Sequence, residues 1–178
     1  MNKLSYYITE KLKIGINTKV IKYNYFPKNK EELSDIIKKL IKERGEDADL
    51  NDIDTSEITD MSQIFCLSKF NGNISDWNVS SVEDMSFMFS CSKFNRDILK
   101  WDVSKVENMD YMFYKSNFNG DISDWNVSNV ESMGYMFSYS KFNKKENLEN
   151  WNISNVKKMI NMFEDCPLEK NPPKWYKK

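Results

Sequence analysis

The stretch FNGDISDWNVSNVESMGYMF, Phe118 to Phe137, decides the fold, because the chain spells it almost identically three more times. FNGNISDWNVSSVEDMSFMF fills 70–89, FNRDILKWDVSKVENMDYMF fills 94–113, and FNKKENLENWNISNVKKMINMF fills 142–163. Tryptophan sets the period: Trp77, Trp101 and Trp125 stand 24 residues apart, and Trp151 follows after 26. The other apolar columns keep step, as with Phe70, Phe94, Phe118 and Phe142, or Met85, Met109, Met133 and Met159. A degenerate earlier copy, DLNDIDTSEITDMSQIF, carries Ile53 where later units carry tryptophan. Five units therefore run over 49–171, the fourth lengthened to 26 residues, between a cap at 1–48 and a tail at 172–178.

A period of 24 lies in the 20–29-residue range of leucine-rich repeats, whose coils pair a short strand with a helix or 3-10 turn. The local pattern predicts the same. Trp101-Asp102-Val103-Ser104 alternates apolar and polar as a half-buried strand does. Met109, Met112 and Phe113 share one face of a helical turn. The expected fold is an α/β repeat solenoid, leucine-rich-repeat-like, with one short parallel strand and one helical or 3-10 turn per coil. Coils of this kind bury their apolar sides only by stacking, and the end coils need caps. TKVIKYNYF, with Val20, Ile21, Tyr23 and Tyr25, reads as a capping strand. FPKNKEELSDIIKKLIKERGED reads as a capping helix over about 29–44. Asn29 caps its start, Glu31 and Glu32 suit the positive end of the dipole, and Gly45 stops it. The prolines of CPLEKNPPKWYKK end the array.

Charge narrows the functional classes. Residues 1–48 carry 11 Lys and Arg against 7 Asp and Glu, whereas 49–163 carry 11 against 17. An acidic array makes a poor nucleic-acid binder. No stretch is apolar and long enough to span a membrane, and the opening MNKLSYYITEKLKIGINTKV lacks a signal-peptide core, so the sequence reads as cytoplasmic. Cys66, Cys91 and Cys166 suit a reducing compartment, and a single Cys66–Cys91 bridge stays open.

The unit resembles the BspA-type leucine-rich repeat, also described as a Mycoplasma lipoprotein-type repeat. Its pattern, close to F-N-x-D-I-S-x-W-D-V-S-x-V-x-x-M-x-x-M-F, is met by most positions of units two to five. The resemblance implies a bacterial or protist protein, surface-exposed, with a role in adhesion or host interaction.

Catalysis finds little support: the chain has no histidine, no Gly-rich phosphate loop and no Cys–His pair. Asp97, Asp102 and Asp121 recur with the repeat, as turn residues would. DADLNDIDTSEI fails as a calcium loop, with Asp52 at the glycine position and Ile58 at the bidentate-glutamate position. No metal and no cofactor is expected. The sequons at Asn73, Asn78, Asn126 and Asn152 are mostly the repeated strand, and Asn71, Asn95, Asn119 and Asn143 read as a hydrogen-bonded ladder. Two rows stand as binding candidates. The first is polar, on the outward side of the strands: Asn78, Asp102, Asn126 and Asn152 with Ser80, Ser104, Ser128 and Ser154, headed by Asp54 and Ser56. The second is an aromatic ridge of Phe87, Tyr111 and Tyr135. The expected function is non-enzymatic recognition of a protein partner. The alternative is a structural module that self-associates through the ridge or an array end.

Overall fold

The computed structural model describes residues 22–177. One α-helix, α1 (Lys30–Arg44), and a three-residue 3-10 turn at Lys145–Asn147 are the helical segments among the described residues. Among the described residues parallel pairing is confined to isolated bridges: one series chains Asp60 to Asp84, Asn108, Ser132 and Lys158, and Tyr25–Ile53 and Asp49–Asn73 stand beside it. The expected α/β solenoid is thereby corrected: among the described residues no sheet forms, no helix recurs in the coils, and the leucine-rich-repeat description does not apply. The repeat survives as a stack of coils built from turns.

The reason lies in the residues between the apolar columns. At Trp101–Ser104 the Asp102 carboxylate accepts from the Ser104 N–H at 3.1 Å, and the Val106 N–H reaches Val103 O at 3.0 Å. Asn, Asp and Ser recur at such positions, and their side chains offer the backbone a local turn that competes with a strand ladder. The Met109–Phe113 segment is corrected for a different reason. Met112 N–H bonds back only three residues, to Met109 O, while Met109, Tyr111, Phe113 and Lys115 donate to the next coil at 2.9 Å. Tyr111 and Lys115 have φ of 57° and 51°, which a right-handed helix cannot hold. Successive turns thus supply the apolar spacing that a helix would have supplied.

These left-handed residues recur as two columns: Gln63, Phe87, Tyr111, Tyr135 and Asn161, then Leu67, Cys91, Lys115, Tyr139 and Asp165. Each costs about 1–2 kcal/mol for a non-glycine residue. In the first four coils inter-coil bonds of 2.7–3.0 Å hold them there. Leu67 is 77% exposed with φ 59°, so it bears this cost without burying its side chain. Leu67→Asn, which tolerates that conformation better, is expected to raise stability by about 1 kcal/mol, read as a shift in the urea midpoint.

Inside, phenylalanine stacks on itself from coil to coil. Phe65, Phe89, Phe113, Phe137 and Phe163 have ring centroids 5.6–5.9 Å apart, and the Phe70 column runs alongside at 6.3–6.4 Å. The indole N–H groups staple the coils: Trp77 donates to Leu50 O at 2.9 Å, Trp101 to Ile74 O at 3.2 Å and Trp125 to Ile98 O at 3.1 Å. The asparagine ladder forms as well. Asn71, Asn95 and Asn119 each accept, through Oδ1, the backbone N–H of the asparagine 24 residues on, at 2.8–3.1 Å.

α1 covers the start of the stack. The Asn29 side chain accepts from Glu32 N–H at 2.9 Å, Glu32 in turn accepts from Lys28 N–H at 2.9 Å, and Gly45 closes the helix at φ 91°. Leu33, Ile37 and Leu40 are buried against the first coil. Arg44 forks onto Asp52 through two bonds of 2.9 Å, and Lys30 reaches the Asp60 carboxylate and the Ser62 hydroxyl. The expected capping strand reduces to one bridge, Tyr25 to Ile53, and its Val20 and Ile21 lie outside the described residues. At the other end Trp175 takes the next tryptophan place, 6.5 Å from Trp151, with its N–H on Leu148 O at 2.7 Å.

Candidate functional site

Two surface rows were singled out, and the structure gives them different characters. In the polar row, Asp54, Asn78, Asp102, Asn126 and Asn152 each accept, through Oδ1, the N–H of the serine two residues on, at 3.1–3.2 Å. These oxygens are engaged in their own coil's turn. The Ser104 hydroxyl and N–H hold the Asp102 carboxyl below the usual carboxylate range. Asn129 and Asn155 add a tie between coils, donating to Ser104 O at 2.6 Å and Ser128 O at 2.7 Å. The row lies on the surface as a string of closed turns, with Asn78, Asp102, Asn126 and Asn152 exposed.

The aromatic row is brought together as a continuous pile. Phe87 lies 4.6 Å from Tyr111 at 6° between planes, and Tyr111 lies 4.7 Å from Tyr135 at 11°. That spacing is close to the 4.7–4.9 Å rise between paired backbones, since the rings are one residue repeated in successive coils. All three are half-buried with φ of 56–57°, so the left-handed backbone turns them off the core column and out along the surface. Burial raises the Tyr111 phenol above its ordinary range, with Tyr135 adding to it. Tyr111 is stacked on both faces and Phe87 and Tyr135 on one each, which leaves ring edges and the tyrosine hydroxyls to meet a partner. Polar residues close the pile at both ends, Gln63 before it and Asn161 after it.

Reasoning from sequence left out the flank of this ridge. Tyr114 meets Tyr111 edge-on at 5.5 Å and Tyr139 at 5.8 Å, and the Lys115 ammonium sits over both Tyr114 and Tyr139, at 5.2 and 5.4 Å. The available signal was the pair of residues following each Met-Phe, Tyr114-Lys115 and Ser138-Tyr139. The ridge is therefore five aromatic rings with one cation across them.

Other candidate chemistry is used structurally. Asp97 and Asp121 cap turns through Leu99 and Ser123 N–H, and Asp49 does the same for Asn51. The three thiols are free, and burial raises those of Cys66 and Cys166. Among the described residues no helix is long and apolar enough to cross a membrane, and no three His, Cys, Asp or Glu converge as a metal site.

The family described as Mycoplasma protein of unknown function, DUF285, matches residues 32–145 and, overlapping, 114–176. The chain belongs to this family. The two matches together take in α1 from Glu32 onward, all five coils and Trp175, so the family description covers the ridge and the helix over the first coil. No curated protein and no solved structure matches the chain.

Proposed function

We propose that this protein is a non-enzymatic recognition module whose ridge of Phe87, Tyr111 and Tyr135, flanked by Tyr114, Lys115 and Tyr139, receives a protein partner. One observation carries the reading: three bulky aromatics are held at positive φ on the surface, although asparagine, which tolerates that conformation, stands in the same column at Asn161. Backbone strain at about 1–3 kcal/mol per residue collects where it serves a purpose, and here it holds rings half-exposed that the core does not use. Tyrosine and phenylalanine are favoured at protein interfaces, because they bring large contact area at low entropic cost. The motif's likeness to BspA-type repeats adds adhesion as the kind of recognition.

The test uses Tyr111→Asn/Tyr135→Asn, which keeps a residue type already present in this column. The wild-type chain and the variant, matched for thermal unfolding, serve as baits for quantitative pull-down. We expect at least one protein to be enriched by the wild type and lost about tenfold or more with the variant, a drop of about 1.4 kcal/mol. Identical captures by both baits would remove the ridge from the function.

A further inference from the structure

The flank of the ridge is basic on an array that is otherwise acidic. The six residues that close each of the first four units, 64–69, 88–93, 112–117 and 136–141, contain no Asp or Glu, whereas 49–163 carries 17 against 11 Lys and Arg. Each segment holds one lysine: Lys69, Lys93, Lys115 and Lys141. Acids enter the corresponding place first in the fifth coil, at Glu164 and Asp165. Backbone bonds stack the segments coil on coil, with Lys93 N–H on Ser68 O, Asn117 N–H on Ser92 O and Lys141 N–H on Ser116 O, all at 3.1 Å. All four lysines are exposed, and none is in an ion pair among the described residues. Elsewhere opposite charges one coil apart do pair, as Lys157 with Glu131 at 2.7 Å. Lys69 and Lys93 hold the same place in adjacent coils, so their charges repel. The row joins the ridge through Lys115, whose ammonium lies over Tyr114 and Tyr139, and Tyr114 meets Tyr111 at 5.5 Å. The acid next to Tyr111 is already engaged: Asp110 Oδ1 accepts the Ser132 hydroxyl and the Gly134 N–H, each at 2.6 Å.

We propose that the lysine row and the ring edges beside it receive an acidic segment of the partner protein, its Asp and Glu carboxylates meeting Lys93, Lys115, Lys141 and the hydroxyls of Tyr111 and Tyr135. This occupant rests on the ridge being the recognition surface, and adds the chemistry that the surface selects. Each ammonium brings three donors and no acceptor. An aromatic ring is negative on its face and positive at its edge. The ridge presents edges, since Tyr111 is stacked on both faces. Ring edges, hydroxyl donors and ammonium groups therefore favour the same sign of partner. From the first coil to the fourth the row spans about 14 Å, three rungs of backbone spacing, which about four or five extended residues cover. A nucleic acid fits less well, because its bases stack on open aromatic faces and the central ring has none.

The experiment follows the fluorescence anisotropy of labelled deca-glutamate titrated with the full chain. Saturable binding is expected, weakening as salt rises from about 50 to about 300 mM, as exposed charge pairs do. Lys93→Gln/Lys115→Gln/Lys141→Gln should weaken it by about tenfold or more, and Tyr111→Asn/Tyr135→Asn by about threefold or more. Lys42→Gln/Lys100→Gln/Lys105→Gln, three exposed lysines outside these segments, should leave it unchanged. No binding at about 200 µM protein, or an equal loss with both lysine triples, would overturn the acidic occupant. So would binding untouched by the tyrosine pair, or tighter binding of a labelled single-stranded DNA decamer or of phosphatidylserine vesicles. The ridge is read separately, by the proteins captured in the pull-down. If the tyrosine variant loses them and the variant of Lys93, Lys115 and Lys141 retains them, the ridge stands and the acidic occupant falls.

Discussion

Phe113→Ala should be among the most damaging single substitutions in the chain, costing about 3–5 kcal/mol. Phe113 is fully buried, and its ring lies 5.8 Å from Phe89, 5.6 Å from Phe137 and 4.4 Å from Phe118. It therefore belongs to the coil before, its own coil and the coil after. A cavity here has stacked aromatic walls, and each wall is held by backbone bonds to a neighbouring coil, so it closes poorly. Such a loss lowers the midpoint of thermal unfolding by on the order of 10 °C for a chain of this size. Calorimetry on the purified variant measures it. A change under about 1 kcal/mol, the scale of ordinary surface substitutions, would mean that the phenylalanine column does not carry the stack.

The second expectation is a difference between two substitutions of one kind. Trp125 and Trp151 are both buried, 3% and 5% exposed, and occupy the same place in successive coils. Trp125 donates to Ile98 O, whereas the Trp151 indole N–H has no partner among the described residues. Trp125→Phe removes the bond, at about 0.5–1.5 kcal/mol beyond the loss of volume, while Ile98 O keeps the Trp101 N–H at 3.2 Å. Trp151→Phe loses only volume and relieves an unsatisfied donor. The two-residue lengthening of the fourth unit, which forms the 3-10 turn at Lys145–Asn147, accompanies the missing bond. Paired urea unfolding curves should place Trp125→Phe below Trp151→Phe by about 1–2 kcal/mol. Equal losses would show that the indole staple contributes nothing net.

How much of this was legible depended on which property was being read. Columns of identical residues at a fixed spacing report stacking directly, and the phenylalanine, tryptophan and asparagine columns all became physical ladders. Local conformation was harder. Trp-Asp-Val-Ser alternates as a strand does, but the Asp102 side chain turns the chain before a strand forms. Met109, Met112 and Phe113 are spaced as in a helix, but their alternate N–H groups go to the next coil. Periodicity shows which residues face inward and leaves open whether a helix or a run of turns carries them. The ridge was visible as a column because Phe87, Tyr111 and Tyr135 fall off the apolar stripe. Its left-handed backbone was not, since no glycine marks it.

The ladders also bear on how the chain reaches its fold. Each rung joins residues about one repeat apart, as in the 24-residue step of the asparagine bonds. Closing each coil on the one before it is therefore a loop of nearly constant length, with a nearly constant entropic cost. Adding coils multiplies this step without lengthening it, so the search for native contacts stays local however tall the stack grows. Assembly can begin at any adjacent pair of coils and spread as a zipper does.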